Sequence, residues 1–285
     1  SVKINMNERS ETLPKVSIGL PVYNGEEYLR KTLDCLLGQT FLDIEIIISD
    51  DNSSDQTKDI CLEYCKQDNR VRYFKQDKNF GMPVKNFRFV LDNAFGEYFM
   101  FASHDDSWDE RYIEELVSVL DNDSNCSLAF SNYKIKNLKG AGEILIDVSS
   151  SVSDSKYIRY MTRLIDTQPA LIFGLFRREI INSKDIILAD MFTLHFGNLM
   201  SLKGKIKVVD KYIMTWGIDG SRDSYSMTGK IISYRLYYIS QIKLILKSFN
   251  FLKWPLPIIL LSAWLINGWI KRRVSPHKFN INFNK

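Results

Sequence analysis

Over its first hundred residues the chain alternates short, nearly unbroken apolar runs with longer stretches of helical spacing. VSIGLPV, Val16 to Val22, reads as a strand ending in Tyr23-Asn24-Gly25, and Glu26 to Leu37 has helical spacing. Ile44 to Ile48 predicts a second strand, ending Ser49-Asp50-Asp51-Asn52, after which Ser54 or Asp55 caps a helix running to Gln67. Val71 to Phe74 is a third strand, Pro83 to Asn93 a helix, and Tyr98 to Ala102 a fourth strand. Near-continuous apolar strands separated by helices indicate an α/β fold with a mostly parallel sheet covered on both faces.

The second half is less regular. Leu128-Ala129-Phe130 and Ile144-Leu145-Ile146 predict strands around the hairpin-like Lys139-Gly140-Ala141-Gly142, and Ser155 to Ile165 predicts a helix. Pro169 to Phe176 reads as a strand reaching Arg177-Arg178. A helix around Asp190 to Leu202 ends at Lys203-Gly204, and two short strands follow, Ile206 to Val209 and Tyr212 to Thr215.

From Ile231 the pattern changes again, to a stretch dominated by Ile, Leu, Tyr, Phe and Trp. It contains WPLPIILLSAWLINGWI, Trp254 to Ile270, followed at once by Lys271-Arg272-Arg273. The run is short of the roughly 20 apolar residues a spanning helix needs, and it carries Pro255, Pro257 and Asn267. Its three tryptophans and basic trailer suit a segment lying in the interface of an anionic membrane; the alternative is a core or oligomer-interface helix. At the other end the polar start lacks the apolar centre of a signal peptide. The expected organisation is an arm over 1–12, an α/β domain over 13–225, and a hydrophobic helical region over 226–285.

Composition narrows the choice of function. With 285 residues, 45% hydrophobic and 25% charged, the chain can bury a large core. A net charge of +4 does not indicate a nucleic-acid binder. The four cysteines, Cys35, Cys61, Cys65 and Cys126, follow no disulfide framework, and no histidine completes a zinc site with Cys61 and Cys65. Reduced thiols and a cytoplasmic setting are expected.

FASHDDSW, Phe101 to Trp108, carries the candidate chemistry: an apolar strand that delivers two adjacent carboxylates, Asp105 and Asp106, to one point. Such a pair is costly unless solvated, protonated or neutralised by a cation. Open parallel sheets bind ligands outside the carboxyl ends of their strands, and here those ends read Tyr23-Asn24, Asp50-Asp51 and Asp105-Asp106. A hard divalent cation, Mn²⁺ or Mg²⁺, held by one or two carboxylates and completed by substrate phosphates, fits the pattern. No GxxxxGK[ST] loop and no GxGxxG after the first strand are present, which argues against P-loop and dinucleotide chemistry.

Four segments in order, VSIGLPVYNGEEYLRKTL, IEIIISDDNSSDQT, NFGMPVKN and GEYFMFASHDDSW, resemble the inverting family-2 glycosyltransferases with a GT-A fold. Weaker likeness continues through FGLFRREII, the Ala189-Asp190 region and GKIKVVDKYIMTW to about residue 225. The resemblance implies a Rossmann-like GT-A domain. It implies a nucleotide packed along Pro21, Val22 and Tyr23, with its base, typically uracil, read by Asp50. Lys85 stands near base or diphosphate, Asp105 binds the metal with Asp106 beside it, and Trp108 lines a pocket. Asp190 matches the general base on the acceptor hydroxyl, with Asp185 as the alternative. One position departs from the pattern: Ser103 replaces the first acid of the family's DxD motif, where it retains hydrogen bonding to a ribose hydroxyl.

The activity so implied is metal-dependent transfer from a nucleotide-sugar, a UDP-sugar, to a glycan or lipid-linked acceptor. Its setting would be the inner face of the cell membrane, with peripheral membrane contact and no nucleic-acid partner. Two other classes compete. A metal-dependent phosphate hydrolase would need a second metal cluster, which the sequence does not supply. A nucleotide-binding or membrane-scaffold protein without catalysis draws its argument from Ser103. His104, His195, Arg177-Arg178 and Lys271 to Arg273 are expected in structural, packed or solvated roles; the two basic clusters have the alternatives of approaching a diphosphate and lipid phosphates respectively.

Overall fold

The computed structural model describes residues 13–140, 142–166, 168–186 and 192–218, together with Leu244. The strands are β1 (Val16–Val22), β2 (Ile44–Asp50), β3 (Val71–Lys75), β4 (Tyr98–Phe101), β5 (Ser107–Trp108), β6 (Cys126–Asn137), β7 (Glu143–Ile146), β8 (Leu175–Arg177) and β9 (Lys205–Ile218). The helices are α1 (Leu29–Leu37), α2 (Thr57–Gln67), α3 (Pro83–Asp92), α4 (Tyr112–Asp121), α5 (Lys156–Ile165) and α6 (Phe192–Lys203).

β3, β2, β1 and β4 lie side by side, all parallel, as the apolar runs predict. Every residue of β1 and β2 is buried, which is why neither strand alternates in polarity. Beyond β4 the sheet becomes mixed, continuing β8-β6-β9-β5, with β7 closing a hairpin on β6. β8 runs antiparallel to both β4 and β6, so β6 and its parallel neighbour β9 share the direction of β1 to β4.

Aromatic rings join the two halves. Phe99 lies 5.4 Å from Phe176, which meets Phe196 of α6 edge-on at 5.1 Å, while Phe87 of α3 meets Phe192 at 4.9 Å. Each such pair contributes about 0.5–1.5 kcal/mol beyond its buried area. α6 is buried on nearly every side, a core helix rather than an amphipathic one.

Several boundaries differ from the sequence reading, each for a local reason. α1 starts at Leu29 and not at Glu26, because Glu26 is tied to the next loop through its N–H and its carboxylate. α2 starts at Thr57, with the Asp55 carboxylate accepting the Thr57 N–H at 3.0 Å from just outside the helix. Pro169–Phe173 is a 3₁₀ turn, leaving a strand of only three residues, β8. Gly174 stands at that junction, packed so closely that a Cβ there would lie 2.6 Å from the Ala129 carbonyl oxygen. The two expected short strands at 206–215 are one strand, β9, whose register against β6 shifts around Asn132, where Asn132 Nδ2 donates to Asp210 at 2.9 Å. The expected regions 1–12 and 226–285 lie outside the described residues, apart from Leu244.

Candidate active site

The register places the strand ends at one level: Val22 pairs with Asp50, and Asp50 with Lys75. β4 stops lower, with Phe101 opposite Gly19, so the turn from Ala102 to Asp106 rises to meet the other loops.

The loops after β1 and β2 hold each other. Asn24, at φ +48°, donates its N–H to Ser53 Oγ at 2.8 Å, and its Oδ1 accepts from Ser54 N–H at 3.0 Å. Gly25 N–H donates to Thr57 Oγ1 at 2.8 Å, and Glu26 N–H to Asp55 at 3.1 Å. Much of the motif pair YNGE and NSSDQT is therefore scaffolding that fixes the crevice lip. Pro21 and Val22 are buried in the strand end, whereas Tyr23 presents a half-exposed ring above it.

The two acids after β2 have different surroundings. Asp50 is completely buried; its carboxylate accepts from Ser53 N–H at 2.7 Å and from Tyr73 OH at 2.8 Å. As placed it braces the loop after β2 against β3. Asp51 accepts Phe80 N–H through Oδ1 at 2.7 Å and faces Lys85. Burial raises its pKa above the ordinary carboxylate value, against the lowering pull of the Phe80 N–H and the Lys85 charge. Lys85 is exposed and donates to the Phe80 carbonyl at 3.2 Å. Asn86 was not anticipated: buried, it donates to the Ser49 carbonyl at 2.8 Å and ties α3 to the end of β2. Its place one residue after Lys85 in NFGMPVKN was the available signal.

At the β4 end, Ser103 Oγ donates to Asp105 Oδ1, and both residues are partly exposed. Asp106, expected beside Asp105 at the metal, is buried where it stands. It is 2% exposed and accepts Gly217 N–H at 2.9 Å, anchoring the acid turn to β9. The main chain of the same turn accepts from Thr32 Oγ1 at His104 (2.8 Å) and at Asp106 (3.1 Å). The His104 ring lies over Gly25, where an added Cβ would be 3.1 Å from its Cδ2. His104 is thus packing between two site loops.

Other expected residues make contacts within the fold. Trp108, expected to line a pocket, is 5% exposed and packed near Tyr112 with ring centroids 6.5 Å apart. Arg177 donates to the carbonyls of Leu120, Asp123 and Cys126, and Arg178 to Gly96, at the end of the sheet away from the acid turn. Asp185 closes a capping box with Asn182. His195 is buried in α6, and that burial lowers its pKa to about 4, with Asp185 pulling weakly the other way. Asp190 lies outside the described residues.

Among the described residues no group of three or more His, Cys, Asp or Glu side chains is placed to cage a metal. A site of one carboxylate completed by substrate phosphates needs no such cage, and Asp105 with Ser103 fits that form.

A parallel sheet with an acid-tipped crevice at its switch point, extended by a mixed second half, defines a GT-A glycosyltransferase fold. The chain belongs to glycosyl transferase family 2, whose family model matches residues 17–184. It is 35% identical over 119 residues, 42% of its length, to the glycosyltransferase GlyA of Streptococcus pneumoniae serotype 4. It is 28% identical over 177 residues, 60% of its length, to the GalNAc(5)-diNAcBac-PP-undecaprenol beta-1,3-glucosyltransferase of Campylobacter jejuni. These matches cover 17% and 54% of the two relatives, so the chain spans only part of their lengths. Among solved structures, S. aureus TarS 1-349 in complex with UDP-GlcNAc superposes with a TM-score of 0.67 at 18% identity, over 93% of this chain and 74% of that one. The mannosyltransferase PcManGT of Pyrobaculum calidifontis, in complex with GDP-Man and Mn²⁺, gives 0.55 at 13% identity, over 92% and 76%. At those identities the likeness is one of fold.

Proposed function

We propose that the protein transfers a sugar, with inversion, from a UDP-sugar to a hydroxyl of a glycan or lipid-linked acceptor during surface polysaccharide or glycolipid assembly. The observation that carries this reading is the meeting of three strand ends. Tyr23 and Asp51 stand on the cross-tied loops after β1 and β2, Lys85 on the first turn of α3, and Ser103 with Asp105 on the turn after β4. The names of two similar proteins support donor and acceptor class: one is a solved complex with UDP-GlcNAc, the other acts on an undecaprenol-linked acceptor.

In this reading Tyr23 lies along the nucleoside. Asp51, 5% exposed where Asp50 is fully enclosed, accepts from the ring N–H of the base, and Lys85 lies by the diphosphate. Asp105, oriented by the Ser103 hydroxyl, holds a divalent cation, Mn²⁺ or Mg²⁺. When bound, that cation neutralises charge developing on the diphosphate leaving group. Asp190 takes the proton of the acceptor hydroxyl as it attacks the anomeric carbon from the opposite side. A carboxylate near its ordinary pKa of about 4 is a weak base, so this role requires an environment that raises it. Setting the work at the inner membrane face follows from the lipid-linked acceptor; among the described residues no helix is long and apolar enough to cross a membrane.

The test is calorimetric titration of UDP, GDP and dTDP, with and without Mn²⁺, on the wild type and Asp105→Ala. Metal-dependent UDP binding lost in the variant, followed by UDP-sugar turnover, supports the proposal. Preference for another nucleotide overturns the donor. Absence of binding by folded protein moves the reading to a non-catalytic scaffold, with Ser103 as its mark.

A further inference from the structure

A cavity of about 310 Å³ opens at the end of the sheet opposite the acid crevice, with Ser124, Asn125, Arg159, Arg177, Lys203 and Lys205 in its wall. Lys205 begins β9, whereas Gly217, near the far end of that strand, touches the acid turn. At about 3.3 Å per residue the two sites stand roughly 40 Å apart. The cavity is therefore no part of the donor crevice.

Its wall is one-sided in charge: two guanidiniums and two ammoniums against the single carboxylate of Asp154. Arg159 stands out among them, because it is only 8% exposed. Among the described residues no carboxylate forms an ion pair with it or with Lys203. Its hydrogen bonds go instead to main-chain carbonyls, from Nε to Ser201 at 2.8 Å and from Nη1 to Ser153 at 2.7 Å and Asp154 at 3.0 Å. Carbonyls orient a guanidinium but leave its charge in place, and an enclosed cation without a counter-ion is costly. Burial accordingly lowers the Arg159 pKa, with Asp154 pulling the other way. Arg177 repeats the pattern: carbonyls hold its Nε and Nη2, while the largely exposed Glu97 stands 3.9 Å from Nη1. An anion entering the cavity meets two guanidiniums already fixed in direction, so little ordering remains to be lost.

Two features oppose an anion, and neither is strong. Asp154 pairs with Lys205 at 2.9 Å, but its carboxylate is 95% exposed and screened by water. The second is α6, which ends at the cavity with the negative end of its dipole. Two of its last carbonyls are already engaged: Met200 by Ser127 Oγ at 2.9 Å and Gly204 N–H at 3.1 Å, and Ser201 by Arg159.

The lining also discriminates among anions. Four cations exceed what one carboxylate neutralises, whereas a phosphate brings close to two charges and three acceptor oxygens. Ser124 and Asn125 add neutral donors in the same wall. Among the described residues no aromatic side chain lines the cavity, so nothing there stacks a nucleobase. The volume lies at the small end of the range for ligand sites. We infer that this cavity binds the phosphate of a small soluble phosphorylated compound that carries no base. The inference is independent of the sugar-transfer reading, because the face it uses is remote from the crevice.

The experiment is calorimetric titration of pyrophosphate, glycerol 3-phosphate and inorganic phosphate into the full chain, at low salt and without divalent metal. Wild type is compared with Lys203→Gln/Lys205→Gln, Asp154→Asn and Lys85→Gln, with circular dichroism as the control for folding. The wild type is expected to bind pyrophosphate most tightly and glycerol 3-phosphate at least as well as inorganic phosphate. Removing both lysines should weaken binding about tenfold or more. Asp154→Asn should strengthen it severalfold, a gain that a merely structural cluster of charges would not show. Lys85→Gln, in the donor crevice, should leave it unchanged. A folded double variant that binds like wild type overturns the inference, as does a wild type that binds none of the three. Binding lost in Lys85→Gln would place the phosphate in the donor crevice and remove the second site. Binding of inorganic phosphate alone overturns the phosphorylated compound as ligand.

Discussion

Gly217 N–H donates to the Asp106 carboxylate at 2.9 Å, so the last strand of the sheet fixes the turn that carries Asp105. The contact is close enough that a Cβ on Gly217 would lie 2.1 Å from the Asp105 carbonyl oxygen and 2.9 Å from Leu138. β9 is anchored by its pairing with β6 and the turn by Asp106, so neither backbone yields easily. Gly217→Ala should cost about 1–3 kcal/mol of stability, the usual penalty of overpacking. It should lower turnover by a larger factor than Asp106→Asn, which retains an acceptor for that N–H. Thermal unfolding and sugar-transfer rates on the two variants check this.

Asp50 and Asp51 are adjacent, yet their replacement should have opposite signatures. Asp50→Ala leaves Ser53 N–H and Tyr73 OH without their buried acceptor, a loss of about 2–4 kcal/mol. Asp51→Asn keeps an acceptor for Phe80 N–H and should leave stability within about 1 kcal/mol. Uridine nucleotide binding should fall at least about tenfold in the Asp51 variant, the worth of one charge-assisted hydrogen bond. Denaturant unfolding paired with UDP titration separates the roles; a stable Asp50→Ala protein that no longer binds UDP would return the base-reading role to Asp50.

That pair also shows how far the sequence could be read. The parallel core was legible because β1 and β2 are buried on both faces and so lack alternation, and the order of the strand-end acids marked the crevice. Which acid of each pair is tied most deeply into the fold was not legible. It depends on partners distant in sequence: Tyr73 for Asp50, and Gly217 for Asp106. The same limit explains Arg177, whose carbonyl partners lie 51 to 57 residues away. Pro169–Phe173 misled because a run with four successive buried residues and no period fits a strand or a 3₁₀ turn equally.

The lip formed by the first two loops depends on one buried hydroxyl. Gly25 N–H donates to Thr57 Oγ1 at 2.8 Å, and Thr57 is completely buried. Thr57→Val keeps the shape and removes the acceptor, so it should destabilise the protein by about 1–2 kcal/mol. Because the loop after β1 carries Tyr23, nucleotide affinity should fall as well, while Thr57→Ser restores both. Equal loss in the Ser and Val variants would show that the methyl contact, rather than the hydrogen bond, holds the loop.

His195 gives the fold a defined sensitivity to acid. Burial in α6 lowers its pKa to about 4, whereas in an unfolded chain it titrates near 6.5. As pH falls through 6.5 the unfolded state takes up a proton that the folded state refuses, so stability declines. The decline continues until the folded state also binds the proton, near pH 4. Its full extent is about 3 kcal/mol from this one group. His195→Gln, which stays uncharged, should remove that component and flatten the curve over this window, while carboxylates account for what remains below it. Urea midpoints measured at intervals from pH 7 to pH 4 on both proteins test the assignment. Parallel curves for wild type and variant would place the acid sensitivity on other groups.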